Sequence, residues 1–462
     1  MASAVATTPG GAGPRSAAGT AGLTTDATIG ADPTGETSPP ESEAGAGVRA
    51  SVWWTDMRTG VWISVARVVA GVLVGHMVLV LFPGVLLRSK LGTLGSGTWL
   101  GAFDRWDAGY YTRIAAHGYP AHVPDVRAFF PGYPLVIRVV HELTGGVLSY
   151  AQTGCLVSMA ALVVAAGLLH RLVAARFGGR AALVSTALFC WCPASAFFLA
   201  PYSESLFALT ILAAATMLDR GRWWWAVVIA GYATATSPEG LVLTGALVVA
   251  ALVARRRLLR ILGYGVVGSF GILAYMLYLG VRFGEPFGFA QIQSNFHRVM
   301  VPPFVGLVQN LGSIHHVLTL PGLTGNFLPN LTFRALWANV ASMWVIDDIA
   351  LLLALGALVA LTVAALRPVR GGDEATGTGV PMAWTVLLGG IVLLASMTVI
   401  RPPGGNVSTE AVTRMVGVAF PLYPGLYLMV RRWQVPIVIG LSLSVAAAMV
   451  IQVLFNFGYW AT

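Results

Sequence analysis

The run EGLVLTGALVVAALVA, Glu239–Ala254, breaks off at Arg255, Arg256 and Arg257 and is followed at once by ILGYGVVGSFGILAYMLYLGVR, Ile261–Arg282. Each run is continuously apolar and approaches the ~20 residues that a helix needs to cross the hydrocarbon of a bilayer. Neither alternates apolar and polar residues, which excludes a transmembrane β-barrel. Two apolar runs joined by a short Arg-rich link read as a helical hairpin whose turn faces the cytoplasm. The same pattern repeats outward in both directions, with apolar runs near 61–82, 152–173, 181–200, 204–218, 223–237, 239–254, 262–282, 347–366, 383–400, 413–431 and 436–456. The expected fold is therefore an all-α polytopic membrane protein of about eleven transmembrane helices. Several runs are short, so some helices are expected to stop at Pro or polar residues below the bilayer surface.

Composition agrees with that reading. Of the 462 residues 56% are hydrophobic and 10% charged, against roughly 25% charged in soluble proteins, which excludes an ordinary soluble enzyme. The net charge of +9 arises beyond residue 50, because residues 1–50 hold more acidic than basic side chains. It is spread over short connections beside apolar runs, so the expected partner is membrane lipid, with no nucleic acid. Residues 1–50 are Gly, Ala, Thr, Pro and Ser without an aromatic residue, a composition that predicts a disordered cytoplasmic tail. The tail lacks the apolar core of a cleavable signal peptide, so residues 51–462 form the membrane domain and the first apolar run anchors it. Cys155, Cys190 and Cys192 lie in or beside apolar runs without metal-ligand spacing and read as small buried residues.

Orientation follows from arginine. With the N-terminus inside, Arg176 and Arg180, Arg220 and Arg222, Arg255 to Arg260, Arg367 and Arg370, and Arg431 and Arg432 all fall on the cytoplasmic side. This requires that the segment Phe129–Gly145 does not span. The expected location is the plasma membrane, with long external loops near 83–151 and 283–346. Beyond residue 50 only Asp56, Asp219, Asp373 and Glu374 then remain inside, so an active site is expected on the extracytoplasmic face.

The first external loop contains FDRWDAGYYTRIAAHGYP from Phe103. Read as a helix, it aligns Phe103, Trp106, Tyr110 and Ile114 as an interfacial apolar stripe, with Asp104, Asp107 and Tyr111 on the adjacent face. A solvated surface face and a catalytic face fit that spacing equally well. An aspartate beside a half-desolvated aromatic surface is suited to act as a general base, since burial raises its basicity.

The runs RWDAGYY, IAAHGYP, AFFPGYPLVIR and CPASAFFLAPYSESLFALTILAA resemble the PIG-V family, which includes GPI mannosyltransferase 2 and its bacterial relatives. FGEPFGFAQIQ from Phe283 and TRMVGVAFPLYPGLYL from Thr413 are similar to later parts of that family. The resemblance implies a GT-C-type bundle whose long first external loop carries interfacial helices. It also implies a glycosyltransferase, most readily an inverting mannosyltransferase with a polyprenyl-phosphate-mannose donor. Mapped onto this chain, Asp107 would be the base that deprotonates the acceptor hydroxyl, with Asp104 as the alternative. An outward arginine, drawn from Arg105, Arg113, Arg298, Arg334, Arg401 and Arg414, would stabilise the lipid-phosphate leaving group, so no cofactor and no divalent metal are expected. Tyr111, His117, Tyr119 and Glu204 would contact substrate. Glu204 also reads simply as a first-turn carboxylate, and Asp347 and Asp348 as acids at the start of their own helix. Where eukaryotic members carry an Arg-Ser-Asn-Gly turn this chain has TSPEG, ending at Gly240. The acceptor therefore stays open among glycolipid, glycan and protein. The competing readings are a transporter or lipid flippase without transferase activity, and a membrane scaffold. Spanning runs almost free of ionisable residues argue against transit.

Overall fold

In the computed structural model the described residues are 61–86, 103–318, 344–366, 381–401 and 407–456, all within one compact unit, Asp56–Thr462. The expectations for residues 1–50, for Arg334 and for much of the loop 283–346 lie outside the described residues. Helix α1 is Val61–Leu86. A short pair, α2 (Asp107–His117) and α3 (Gly132–Leu143), packs against the long helix α4 (Tyr150–Cys190). Next come α5 (Glu204–Asp219), α6 (Trp223–Thr236) and α7 (Gly240–Val253), then α8 (Leu258–Gly268) and α9 (Phe270–Phe283). Strand β1 (Arg298–Met300) precedes α10 (Val305–Leu318) and α11 (Trp344–Leu366). The chain continues through α12 (Met382–Met397), β2 (Thr398–Ile400), β3 (Ser408–Thr409), α13 (Val412–Gly417), α14 (Leu422–Val430) and α15 (Gln434–Asn456).

The fold is almost wholly helical, as the apolar runs predict. Among the described residues three helices are long and apolar enough to cross a membrane, Tyr150–Cys190, Val345–Leu366 and Gln434–Val453, with a fourth if the pair α8 and α9, bent by 51°, counts as one span. The expected count of about eleven is not confirmed among the described residues, where Gly240–Val253 and Met382–Met397 are apolar helices shorter than a full span. Gly178, whose φ of 83° is open to glycine at little cost, breaks the helical path of Tyr150–Cys190 between the expected runs 152–173 and 181–200, and the second part ends at Cys190. The run 262–282 breaks at Ser269, and 413–431 divides around Pro421. Helix α3, inside the segment read as non-spanning, is about 18 Å long and too short for a ~30 Å core.

Helix α5 sits centrally, packed on α4 and α6, and its Phe207, Ala208, Ile211 and Leu212 are buried. The first and last helices close on one another through a buried polar link. His76 Nδ1 lies 2.8 Å from Gln452 Oε1, and His76 Nε2 lies 3.1 Å from Ser195 Oγ. Cys155, Cys190 and Cys192 are free and buried, as expected. A small antiparallel sheet in the order β1-β2-β3, with Arg298 opposite Ile400 and Ile400 opposite Ser408, ties the segment after α9 to the one before α13.

Candidate active site

The helix expected from Phe103 begins instead at Asp107. Trp106 has φ 53° and ψ −119°, outside the helical region, so Asp104 and Asp107 do not share a helical face. The buried face of α2 is Ala108, Tyr111 and Ala115 with Ile114 and Asp107, turned into the protein rather than along a membrane surface. Pro201 ends the preceding segment, and Glu204 opens α5, where a carboxylate is favoured by the helix dipole. Helix α13 is only six residues long and carries Arg414.

These three elements meet at one buried point. Arg414 Nε donates to Glu204 Oε1 at 2.8 Å, and Nη2 lies 2.6 Å from the same oxygen. Nη1 and Nη2 both donate to Asp107 Oδ2 at 3.2 Å. The guanidinium carbon is 4.7 Å from the centre of the Phe197 ring and 5.0 Å from that of Tyr202, which places aromatic walls around the charge. The Tyr202 hydroxyl donates to the Arg105 carbonyl at 3.0 Å and accepts from the Asp107 backbone N–H at 3.2 Å, fixing the turn that presents Asp107. Asp107, Glu204 and Arg414 are each less than a tenth exposed. One cation thus serves two buried carboxylates, and Glu204 Oε2 has no partner among the described residues. A buried acceptor oxygen of this kind is positioned to take a hydroxyl from a bound molecule.

Further charges surround this centre. Arg298 Nε lies 3.5 Å from Glu410 Oε2, and burial lifts the Glu410 carboxyl above the usual range against the pull of Arg298. Glu239 accepts a short hydrogen bond from the Ser237 hydroxyl. Enclosure raises its carboxyl, with Glu204 adding to the rise and Arg414 and Arg298 opposing it. Asp347 Oδ1 accepts from the Thr413 N–H at 2.8 Å and its hydroxyl at 2.6 Å, while Asp348 Oδ1 accepts from Thr409 at 2.8 Å and Asn310 at 3.2 Å. Non-glycine residues with positive φ flank the functional side chains: Trp106 before Asp107, His297 before Arg298, and Ala411 after Glu410. Such conformations cost free energy and cluster at sites that the surrounding structure over-determines.

Of the residues singled out in the sequence, Asp107, Glu204 and Arg414 are brought together. Arg298 stands beside Glu410. Asp104 stays exposed before α2, its carboxyl lifted by partial burial and held back by Arg105. Tyr111 is buried with its hydroxyl 2.9 Å from Ser203 Oγ, a contact that braces the segment entering α5. Tyr119 donates to the Phe129 carbonyl at 2.7 Å and shapes its loop. His117 is exposed at the end of α2, and Arg113 is exposed on α2. Arg401 is exposed, with its backbone N–H on the His297 carbonyl. Sequence reading passed over Phe197 and Tyr202, although both lie in the CPASAFFLAPYSES run, and over Glu410. Among the described residues no three of His, Cys, Asp and Glu group as a metal site.

Residues 90–259 match the mannosyltransferase (PIG-V) family. The match includes Asp107, Glu204 and Glu239 and ends well before Arg414. GPI alpha-1,6-mannosyltransferase 2 of Cricetulus griseus is 40% identical over 156 residues, 32% of this chain and 31% of its own length. The protein of the same name from Homo sapiens is 38% identical over 155 residues, again 32% and 31%. The chain therefore aligns with about a third of the length of these relatives. The crystal structure of ArnT from Cupriavidus metallidurans bound to undecaprenyl phosphate aligns over 78% of this chain and 75% of its own, at 17% identity and a TM-score of 0.35, too low to establish a shared fold.

Proposed function

We propose that the protein is an integral-membrane glycosyltransferase, an inverting mannosyltransferase that moves mannose from a polyprenyl-phosphate-mannose donor to a glycolipid, glycan or protein acceptor on the outer face of the plasma membrane. The observation that carries this reading is the buried Asp107–Arg414–Glu204 centre, two of whose members lie in the part of the chain that matches the PIG-V family. A sugar hydroxyl is a weak nucleophile at neutral pH, so a carboxylate must take its proton as its oxygen bonds to the anomeric carbon. Asp107 fills that role, with Asp104 the alternative base. The bond from the anomeric carbon to the phosphate oxygen breaks as the new one forms, which inverts the centre. The departing lipid phosphate takes up negative charge that Arg414 stabilises, without need of a metal.

The pairing of Asp107 with Arg414 gives the cycle an order. While both N–H groups of Arg414 are donated to Asp107 Oδ2, that oxygen is already engaged and is not open to an acceptor hydroxyl. A donor phosphate arriving at Arg414 competes for those N–H groups and releases Asp107 as the sugar comes within reach. Glu204, with one oxygen on Arg414 and the other free, holds a sugar hydroxyl. The test is transfer of radiolabelled mannose from polyprenyl-phosphate-mannose in membranes containing matched amounts of wild type, Asp107→Asn or Asp104→Asn. Asn keeps the side-chain shape and removes the base, so Asp107→Asn should lose about 10²- to 10⁴-fold. Loss confined to Asp104→Asn would transfer the role of base to that residue. Absence of transfer by wild type would end the reading.

A further inference from the structure

Helix α13 presents a structural problem. It has six residues, and the residue before it, Ala411, has φ 57° and no side chain able to cap the exposed N–H groups of the first turn. An N-cap side chain normally accepts from the N–H of the second or third helical residue. Here the second residue is Thr413, and the oxygen that accepts from its N–H belongs to Asp347, 66 positions away at the start of α11. The same Asp347 Oδ1 also takes the Thr413 hydroxyl. Asp347 is 1% exposed and Thr413 4%. The next residue, Asp348, binds Thr409 Oγ1, and Asn310 Nδ2 reaches both, so the chain entering α13 is held on two sides. The residue after Thr413 is Arg414.

The geometry points to Asp347 as a positioning residue: it caps α13 from a different helix and so sets where the Arg414 guanidinium stands relative to Asp107 and Glu204. Nothing else described at the N-terminus of α13 supplies a side-chain cap. This departs from the expectation that Asp347 serves only the start of its own helix. The inference rests on the proposed function for its catalytic meaning but not for its structural content, and the experiment separates the two.

Arg414 reactivity is measured by phenylglyoxal labelling and peptide mass spectrometry on the full chain in nanodiscs. Mannose transfer is measured in parallel for wild type, Asp347→Ala, Asp347→Asn and Thr413→Val, and for Asp347→Ala combined with Arg414→Ala. Without the cap, Arg414 should label several-fold faster than in wild type, and kcat should fall about tenfold or more, as expected when a catalytic group is displaced by a fraction of an ångström to an ångström. Asp347→Asn retains an oxygen at the same place and should recover much of both readouts, while Thr413→Val should fall between. In the Arg414→Ala background Asp347→Ala should cost transfer nothing further, because both changes act through one group. Unchanged Arg414 labelling in both Asp347→Ala and Thr413→Val would overturn the inference, as would equal losses in Asp347→Asn and Asp347→Ala. If Asp347→Ala fails to accumulate, Asp347→Asn and Thr413→Val decide it. If wild type transfers no sugar, the function reading fails and the labelling alone decides the positioning role.

Discussion

Arg414 is the residue on which the site turns, and its shape matters as much as its charge. The guanidinium reaches Asp107 and Glu204 at once and rests against the adjoining rings of Phe197 and Tyr202. Lysine offers a single compact ammonium that cannot span both carboxylates in that way. Arg414→Lys should therefore keep the chain folded, since the positive charge survives, yet cut mannose transfer about 10²- to 10³-fold, as measured in the same membrane assay. Glu239 offers a test of a different kind. Its carboxyl is raised by enclosure, so the folded protein binds that proton more tightly than the unfolded chain. The resulting stabilisation is complete below the ordinary glutamate range and disappears as pH rises through the raised value, leaving an ionised carboxylate in a poor environment. Glu239→Gln removes that cost. In thermal-shift measurements it should melt roughly 1–3 °C above wild type at pH 7.5, with the difference vanishing near pH 4. A constant difference across that range would exclude titration of Glu239 as the cause.

At the scale of elements, close helix crossings hold the site end of the molecule in place. A Cβ on Gly271 in α9 would collide with the backbone of Gly231 and Ala235 in α6, so the two helices meet backbone to backbone. Gly271→Val should force them apart and destabilise the protein by roughly 1–3 kcal/mol, readable as a lower midpoint in detergent unfolding. Such crossings explain what the sequence could and could not disclose. Apolar periodicity located α5, α6, α7, α11 and α15 to within a few residues, because lipid and core both demand unbroken apolar surface. It could not foresee that the break between the runs 152–173 and 181–200 falls at Gly178, or that α2 begins at Asp107. Those outcomes depend on backbone angles that neighbouring elements impose. Asp107 and Glu204 were legible because each sits in a run similar to a known family. Asp347 was not, since an acid in the first turn of an apolar helix is already explained by its own helix, and its partner Thr413 lies 66 residues away. Glu410 and Tyr202 were equally silent, being ordinary residues until the fold sets Glu410 against Arg298 and Tyr202 against Arg414.

For the molecule as a whole, the centre is assembled from segments that the ribosome makes far apart in time. Asp107 and Glu204 emerge early, and the cation that satisfies both lies 307 and 210 positions later. Until the last helices enter the bilayer, two carboxylates that the finished protein desolvates have no counter-charge, a state that membranes tolerate poorly. Only a chain made as far as Arg414 can pair both of these acids. A chain stopped at residue 406 should be cleared by membrane proteolysis, and the same truncation carrying Asp107→Asn and Glu204→Gln should persist at a visibly higher level on immunoblots. Equal clearance of the two would mean that lost packing, not unpaired charge, condemns the unfinished protein.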